Sequence, residues 1–306
     1  MRTRVIALAA ALTAAVAVTA SPAAGAPSAA TVGCGTAFDT LGALTGTALA
    51  RGVGGGRTEA STDTLHVEVP AAQQGKGGKR FRATVPIWFH VITAGSTGAV
   101  SQTTIQQQLW ALNAGFGGLE GGAPTGFQFQ LAGVDYTDNA DWFLLKAGDK
   151  NERDMKKALR RGGADTLNVY TNAGGGFLGW AYLPGSYRER PYIDGIVIDY
   201  NSLPGGAYGS QFSLGKTLTH EAGHWLNLEH TFYTGCSSHN DYVDDTPAQK
   251  SPTSGCPEGR DSCTNDPGID PIHNYMDYSF DSCYFEFTPG QAARMQDAWL
   301  YFRAGQ

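Results

Sequence analysis

The eleven residues HEAGHWLNLEH, from His220 to His230, constrain this chain more than any other stretch. They hold three of its seven histidines, with Glu221 directly after the first. His220 and His224 are four apart, so on a helix both imidazoles stand on one face, separated by roughly 6 Å along the axis. Two imidazoles so placed can share one metal ion, and Glu221 can reach a metal-bound water without ligating the metal. His230 sets the harder condition. On a continuous helix it would sit roughly 15 Å along the axis from His220, beyond the reach of one ion. The spacing therefore predicts that the helix ends near Asn227 and that the chain folds back there. Asn suits the stop, because after Gly it best tolerates positive φ. At this chain's residue frequencies, HExxH with such a third histidine arises by chance on the order of once in ten thousand chains, which disfavours histidines that are merely packed or solvated.

Three neutral imidazoles leave a zinc ion with positive charge and an open fourth position, where water has its pKa drawn to about 7. Glu221 can take the proton as hydroxide attacks a carbonyl and pass it to the leaving amine. The chemistry read from these residues is hydrolysis of a peptide bond with no covalent intermediate.

The N-terminus bears on where such a reaction takes place. MRTR supplies positive charge, Val5 to Ala20 is uncharged and apolar, and small residues follow. This is the layout of a secretory signal peptide, expected over residues 1–26. The competing reading, a membrane anchor, needs roughly 20 apolar residues. A net charge of −6 argues against nucleic acid as partner. Lys76, Lys79, Arg80 and Arg82 form a short Gly-rich basic cluster, read as a solvated linker. Export permits disulfides. Cys236, Cys256, Cys263 and Cys283 crowd into a Gly-, Pro- and Asp-rich stretch with little capacity for a core, and Cys34 stands apart. Four cysteines allow three pairings, and spacing alone does not choose among them.

Along the chain, the segment from Ala23 to about Gly78 reads as weakly ordered. TVPIWFHVI, FQFQLAGVDY, DTLNVYTN and DGIVIDYN read as strands. SQTTIQQQLWALNAGF reads as a helix capped by Ser101, and NERDMKKALRR as an exposed helix closed by Gly162 and Gly163. TLTHEAGHWLNLEH places Leu218, Ala222, Trp225 and Leu226 on one stripe. FTPGQAARMQDAWLYF opens with Thr288 as cap and Pro289 at the first helical position. Alternating strands and helices predict an α+β fold with a twisted mixed sheet. NDYVDDTPAQ clusters oxygen donors at Asp241, Val243, Asp245 and Thr246, a pattern that suits calcium or a solvated acidic loop.

HEAGHWLNLEH resembles the long zinc signature of the metzincin metalloproteases, and NYMDYSFDSCYFEFTPGQAARM resembles the Met-turn region of the pappalysin (ulilysin, cytophagalysin) family. LGWAYLP and DGIVIDYNSLPGG also look like that family. The resemblance implies a metzincin-type catalytic domain with an irregular, disulfide-linked C-terminal subdomain. It implies zinc on His220, His224 and His230, an apolar floor from Met276, and a hydroxyl from Tyr278 that steadies the oxyanion. It further implies disulfides Cys236–Cys263 and Cys256–Cys283 and calcium at the 241–246 loop. Cys34, in CGT, looks like the cysteine switch of some members, a thiolate that ligates zinc in the latent form; an unpaired or lipidated cysteine is the other reading. Asn227 departs from the family, which usually has Gly there. An extended substrate would pair with the edge strand of the sheet, for which DGIVIDYN is a candidate. Asp281 and Ser282 lie near the pocket beyond the scissile bond.

The expected organisation is a signal peptide (1–26), a pro-segment (27–70) and a catalytic domain (71–306). The expected function is a secreted, monomeric zinc endopeptidase, made as a latent zymogen and acting on proteins or peptides, with no nucleic acid and no membrane in its mature form. The alternatives are a catalytically silent binding protein on the same scaffold and a structural zinc protein, the latter disfavoured by three ligands rather than four.

Overall fold

The computed structural model describes residues 67–78 and 80–306, together with the backbone of Leu49–Gly52. The expected signal peptide, most of the expected pro-segment and Cys34 lie outside the described residues. Among the described residues, no helix is long and apolar enough to cross a membrane.

In chain order the elements are β1 (Leu49–Gly52), β2 (Ala83–Thr93), α1 (Gln102–Phe116), β3 (Phe127–Asp138), α2 (Ala140–Phe143), α3 (Lys150–Leu159), β4 (Leu167–Asn172), β5 (Phe177–Ala181), β6 (Ile196–Asp199), α4 (Gly209–Phe212), α5 (Lys216–Trp225) and α6 (Pro289–Ala298). A π turn, Trp299–Arg303, continues α6. Strand order is β1-β5-β6-β4-β2-β3. β2, β3, β4 and β6 run parallel, whereas β5 is antiparallel to both β6 and β1. This is the mixed sheet the sequence predicts. β4 and β6 are buried at every position, as interior parallel strands require. The caps behave as read. The Ser101 side chain accepts from Thr104 N, and Thr288 forms a reciprocal capping box with Gln291.

Three features differ from the sequence reading. DGIVIDYN is not the groove edge, because β6 is flanked by β4 and β5. The strand that α5 lies against is β5, which sits between β6 and β1 and whose Gly179 and Ala181 weaken its strand signal. Gly179 is needed there: a methyl group on it would come within 3.1 Å of Glu221 Cγ and of Thr217 Cγ2 on α5.

Second, α3 is not simply exposed, since Glu152, Met155 and Lys156 are buried. Glu152 accepts from Trp180 Nε1 at 2.8 Å and from Tyr182 Oη at 3.2 Å, and pairs with Lys156 at 2.8 Å. Lys156 also donates to Ile193 O. A satisfied buried ion pair carries the same letters as a solvated face, so the pattern alone misreads it.

Third, Val67–Gly78 is docked rather than weakly ordered or a solvated linker. Val69 packs with Ala298 and Phe302. The N–H groups of Gly75 and Lys76 donate to the Asp297 carboxylate at 2.7 and 3.0 Å, and Gly78 N donates to Gln296 Oε1. This strap uses backbone donors, which composition does not reveal.

The C-terminal end is fixed by a buried cation. Arg303 pairs with Asp194 at 3.1 Å, donates to Trp225 O at 3.0 Å and to Ala164 O at 2.9 Å, and lies 3.4 Å from the Trp225 ring centroid. Trp225 Nε1 donates to the same carboxylate. Residues 231–288 contain little regular structure, and two disulfides, Cys236–Cys263 and Cys256–Cys283, cross-link them. Loops of this length gain roughly 3 kcal/mol per bridge from chain entropy, which offsets the thin core.

Candidate metal centre

α5 is buried along its whole length, against β5 and β6 on one side and α1 on the other. Gly215 precedes it with φ +86°. Asp281 Oδ2 accepts from Leu214 N at 3.0 Å and Lys216 N at 3.3 Å, which places negative charge at the helix N-terminus where the dipole favours it. Asp281 is buried and committed to that anchor.

The helix ends where the ligand geometry demands. Asn227 has φ +80°. Leu228 N donates to Gly223 O at 2.9 Å and Asn227 N to His224 O at 2.8 Å, the paired bonds of a Schellman stop. The chain then returns His230 to the other two histidines. His224 Nε2 lies 3.1 Å from His220 Nε2 and 3.1 Å from His230 Nε2. One ligand nitrogen from each of the three falls within a 4.8 Å cluster.

The outer ring nitrogens decide what these short distances mean. His220 Nδ1 is 2.6 Å from Tyr275 O, and His224 Nδ1 is 2.7 Å from Leu228 O. A carbonyl only accepts, so each Nδ1 carries the hydrogen and each Nε2 presents a lone pair. Burial pushes the His224 pKa down to about 4, which keeps that ring a neutral donor. Lone-pair nitrogens at 3.1 Å cannot hydrogen-bond to one another. A tetrahedral cation with Zn–N bonds of 2.0–2.1 Å would hold its nitrogens about 3.3 Å apart, so the donor set and spacing fit zinc. The two carbonyls fix the orientation of the His220 and His224 rings.

Met276 lies fully buried. A methyl group at Gly223 would come within 2.4 Å of its sulfur, so Met276 packs against the ligand helix at a glycine. Met276 N donates to Asn274 Oδ1 at 3.0 Å, and the Asn274 and Gln291 amides exchange two hydrogen bonds of 2.8 and 3.0 Å. Tyr284 Oη donates to Asp277 O, closing the turn. Gly223→Ala is expected to lower Tm and speed zinc loss. Overpacking costs about 1–3 kcal/mol, more than the roughly 1 kcal/mol gained in helix propensity. A rise in Tm would show that the sulfur yields without cost. The Tyr278 ring lies 4.9 Å from that of His230 and 5.7 Å from that of His220. Glu221 is buried on α5 between its two histidines' turns, facing Gly179.

The 241–246 loop carries a second polar cluster. Asp241 is buried, and Oδ1 accepts from Val243 N at 3.1 Å. Asn240 Oδ1 has no hydrogen-bond partner among the described residues, and the Thr246 side chain stands against the Asp241 carboxylate. Burial pushes the Asp241 pKa up to about 7. Val243 O accepts from Thr246 N at 3.1 Å. The Asp245 oxygens accept from Thr288 Oγ1 at 2.6 Å and Gly290 N at 2.7 Å at the start of α6.

Residues 168–299 match the peptidase family described as pregnancy-associated plasma protein-A, the pappalysins. An extracellular metalloprotease of Pyricularia oryzae is 49% identical over 255 residues, covering 81% of this chain and 86% of that protein. The chain belongs to this family. It is an extracellular metalloprotease, and its histidine triad suits zinc. A second pappalysin relative, an extracellular metalloprotease of Neurospora crassa, is 48% identical over 78% of this chain and 82% of its own length. Among solved structures, mature mirolysin of Tannerella forsythia in complex with a cleaved peptide is 29% identical, with TM-score 0.62, covering 71% of this chain and 92% of that one. A promirolysin mutant from the same organism is 27% identical with TM-score 0.63, covering 73% of this chain and 83% of that one.

Several residues that shape this pappalysin site escaped the sequence reading. Gly179 and Gly223 looked like ordinary glycines, and Tyr275 and Leu228 act through carbonyls that every residue possesses. The i+3 position of Gly223 after His220, on the ligand face, is the one signal that could have marked it.

Proposed function

We propose that the chain is a secreted zinc endopeptidase in which Glu221 is the general base and Tyr278 the oxyanion donor. The observation that carries this reading is the convergence of three Nε2 atoms, two of them fixed in the lone-pair tautomer, on the helix that also bears Glu221. His220, His224 and His230 would hold zinc, which supplies a Lewis acid that polarises the scissile carbonyl and acidifies the attacking water. Glu221 takes the proton from that water and delivers it to the departing amine. Its burial against β5 keeps competing bulk water away. The Tyr278 hydroxyl donates to the carbonyl oxygen as negative charge develops there. A protein or peptide substrate lies antiparallel along β5, whose outer backbone groups are the pairing partners.

Synthesis as a latent zymogen is supported from within the chain. Leu49–Gly52, inside the stretch expected to be removed, pairs antiparallel with β5, with Arg51 opposite Gly179. A substrate strand would need the same backbone groups. The docking of Val69, Gly75 and Lys76 on α6 supports a mature start at or before Val67, a few residues ahead of the expected boundary after residue 70. Cys34 as zinc ligand of the latent form remains a proposal from resemblance.

Calcium is proposed at Asp241, Val243, Asp245 and Thr246, supported by the burial of the Asp241 carboxylate; Asp245 also binds the start of α6. Calcium at a hundredfold excess over Kd should stabilise by about 2.7 kcal/mol. The gain in Tm should vanish in Asp241→Asn; an equal Tm with calcium and with chelator would leave only an acidic loop.

Incubating the activated monomer with casein, with and without a zinc chelator, tests the function. Chelator-sensitive cleavage is expected. Bound zinc without cleavage would favour a silent binding scaffold.

A further inference from the structure

Asn227 does more than end a helix. Its backbone adopts φ +80°, which glycine would adopt more readily. What glycine cannot supply is the side-chain amide. Asn227 Nδ2 donates to Val67 O at 3.3 Å, across 160 residues of sequence. The Asn227 carbonyl in turn accepts from Arg294 Nε at 2.8 Å, and Arg294 lies 3.7 Å from Glu68, the residue next to Val67. The same strap residue is wedged on its other side, since a methyl group at Gly185 would come within 2.5 Å of Val67 Cγ2. The far end of the strap is held by Asp297 and Gln296. One residue thus joins three things: the stop of the ligand helix, the turn leading to His230, and the N-terminal strap.

We propose that Asn227 is a positioning residue whose amide latches the strap to the turn that delivers His230, so that strap docking and metal retention are coupled. This rests on the zinc reading of the triad. By linkage the coupling runs both ways: a docked strap slows zinc loss, and bound zinc holds the strap down. The amide's single hydrogen bond sets the scale at roughly 2- to 10-fold.

The test is a double-mutant cycle on the full chain, read by the rate of zinc transfer to a chromogenic chelator rather than by activity. Asn227→Gly preserves the left-handed turn and removes the donor. Asp297→Ala loosens the strap at its distant end. Each alone should speed zinc loss roughly 2- to 10-fold, and the double variant should be no faster than Asn227→Gly. Asn227→Asp, which keeps tolerance of positive φ but presents an acceptor to Val67 O, should behave like Asn227→Gly. Hydrogen exchange at the Gly75, Lys76 and Gly78 amides supplies the reverse arm. Stripping zinc should speed their exchange in the wild type and leave it unchanged in Asn227→Gly. Zinc loss from Asn227→Gly at the wild-type rate, or fully additive effects in the double variant, would overturn the latch. A wild-type chain that takes up no zinc sinks the metal reading itself. The latch would then be read from exchange alone, and equal strap exchange in wild type and Asn227→Gly would overturn it too.

Discussion

Replacing Glu221 with alanine is expected to lower kcat/KM for a peptide substrate by roughly 10²- to 10⁴-fold while zinc content stays at the wild-type level. The two halves of that expectation come from different atoms. Zinc content depends on three imidazoles: Tyr275 O and Leu228 O set the tautomers of His220 and His224, and the stop at Asn227 returns His230 to them. None of these contacts involves the Glu221 carboxylate. In the proposed mechanism proton transfer depends on that carboxylate, held buried where α5 crosses Gly179. Each tenfold loss corresponds to about 1.4 kcal/mol of transition-state stabilisation, so the deficit should be roughly 3–5 kcal/mol. Glu221→Gln, which keeps the shape and loses the basicity, should be nearly as slow. Concurrent loss of zinc from either variant would make Glu221 a structural support of the site. Activity within a few-fold of wild type would remove it from the chemistry.

Arg303→Ala carries the largest expected effect on stability, a loss of about 3–5 kcal/mol. Arg303 and Asp194 are both buried, and the guanidinium also satisfies two carbonyls, those of Trp225 and Ala164. Deleting it strands a carboxylate in the interior with Trp225 Nε1 as a remaining donor. It also uncovers the last turn of α5, immediately after His224. The midpoint of chemical unfolding, read on the disulfide-intact chain, should therefore fall sharply. A double variant, Arg303→Met with Asp194→Asn, should recover part of the loss, because the uncompensated charge is gone. An Arg303→Ala midpoint within error of wild type would mean that water enters and solvates Asp194.

How much of this was legible in the sequence depended on whether a residue acts locally or at a distance. His220, His224 and His230 fixed their own geometry. Their spacing demanded a stop before His230, and Asn227 supplies it at φ +80°. Thr288 and Pro289 likewise announced α6, because a cap acts within one turn. The strand beside the ligand helix was not legible. Gly179 and Ala181 carry weak strand propensity, and their role appears only when α5 is laid across them. Asp245, read as a cation ligand from its neighbours, also accepts from Thr288 and Gly290, more than forty residues away, which no local pattern records. The strap was misread for a related reason. Its anchors are backbone N–H groups that meet Asp297 and Gln296, and no side-chain pattern records them.

The central claim is that three imidazoles and no fourth protein group hold one zinc ion in the active enzyme. X-ray absorption at the zinc edge, on activated protein of known metal content, tests it most directly. One zinc per chain is predicted, with a first shell of three nitrogens and one exchangeable oxygen at about 2.0–2.1 Å. The nitrogen shell should be lost in His230→Ala. A fourth protein ligand in the active form, or a shell unchanged in that variant, would contradict it.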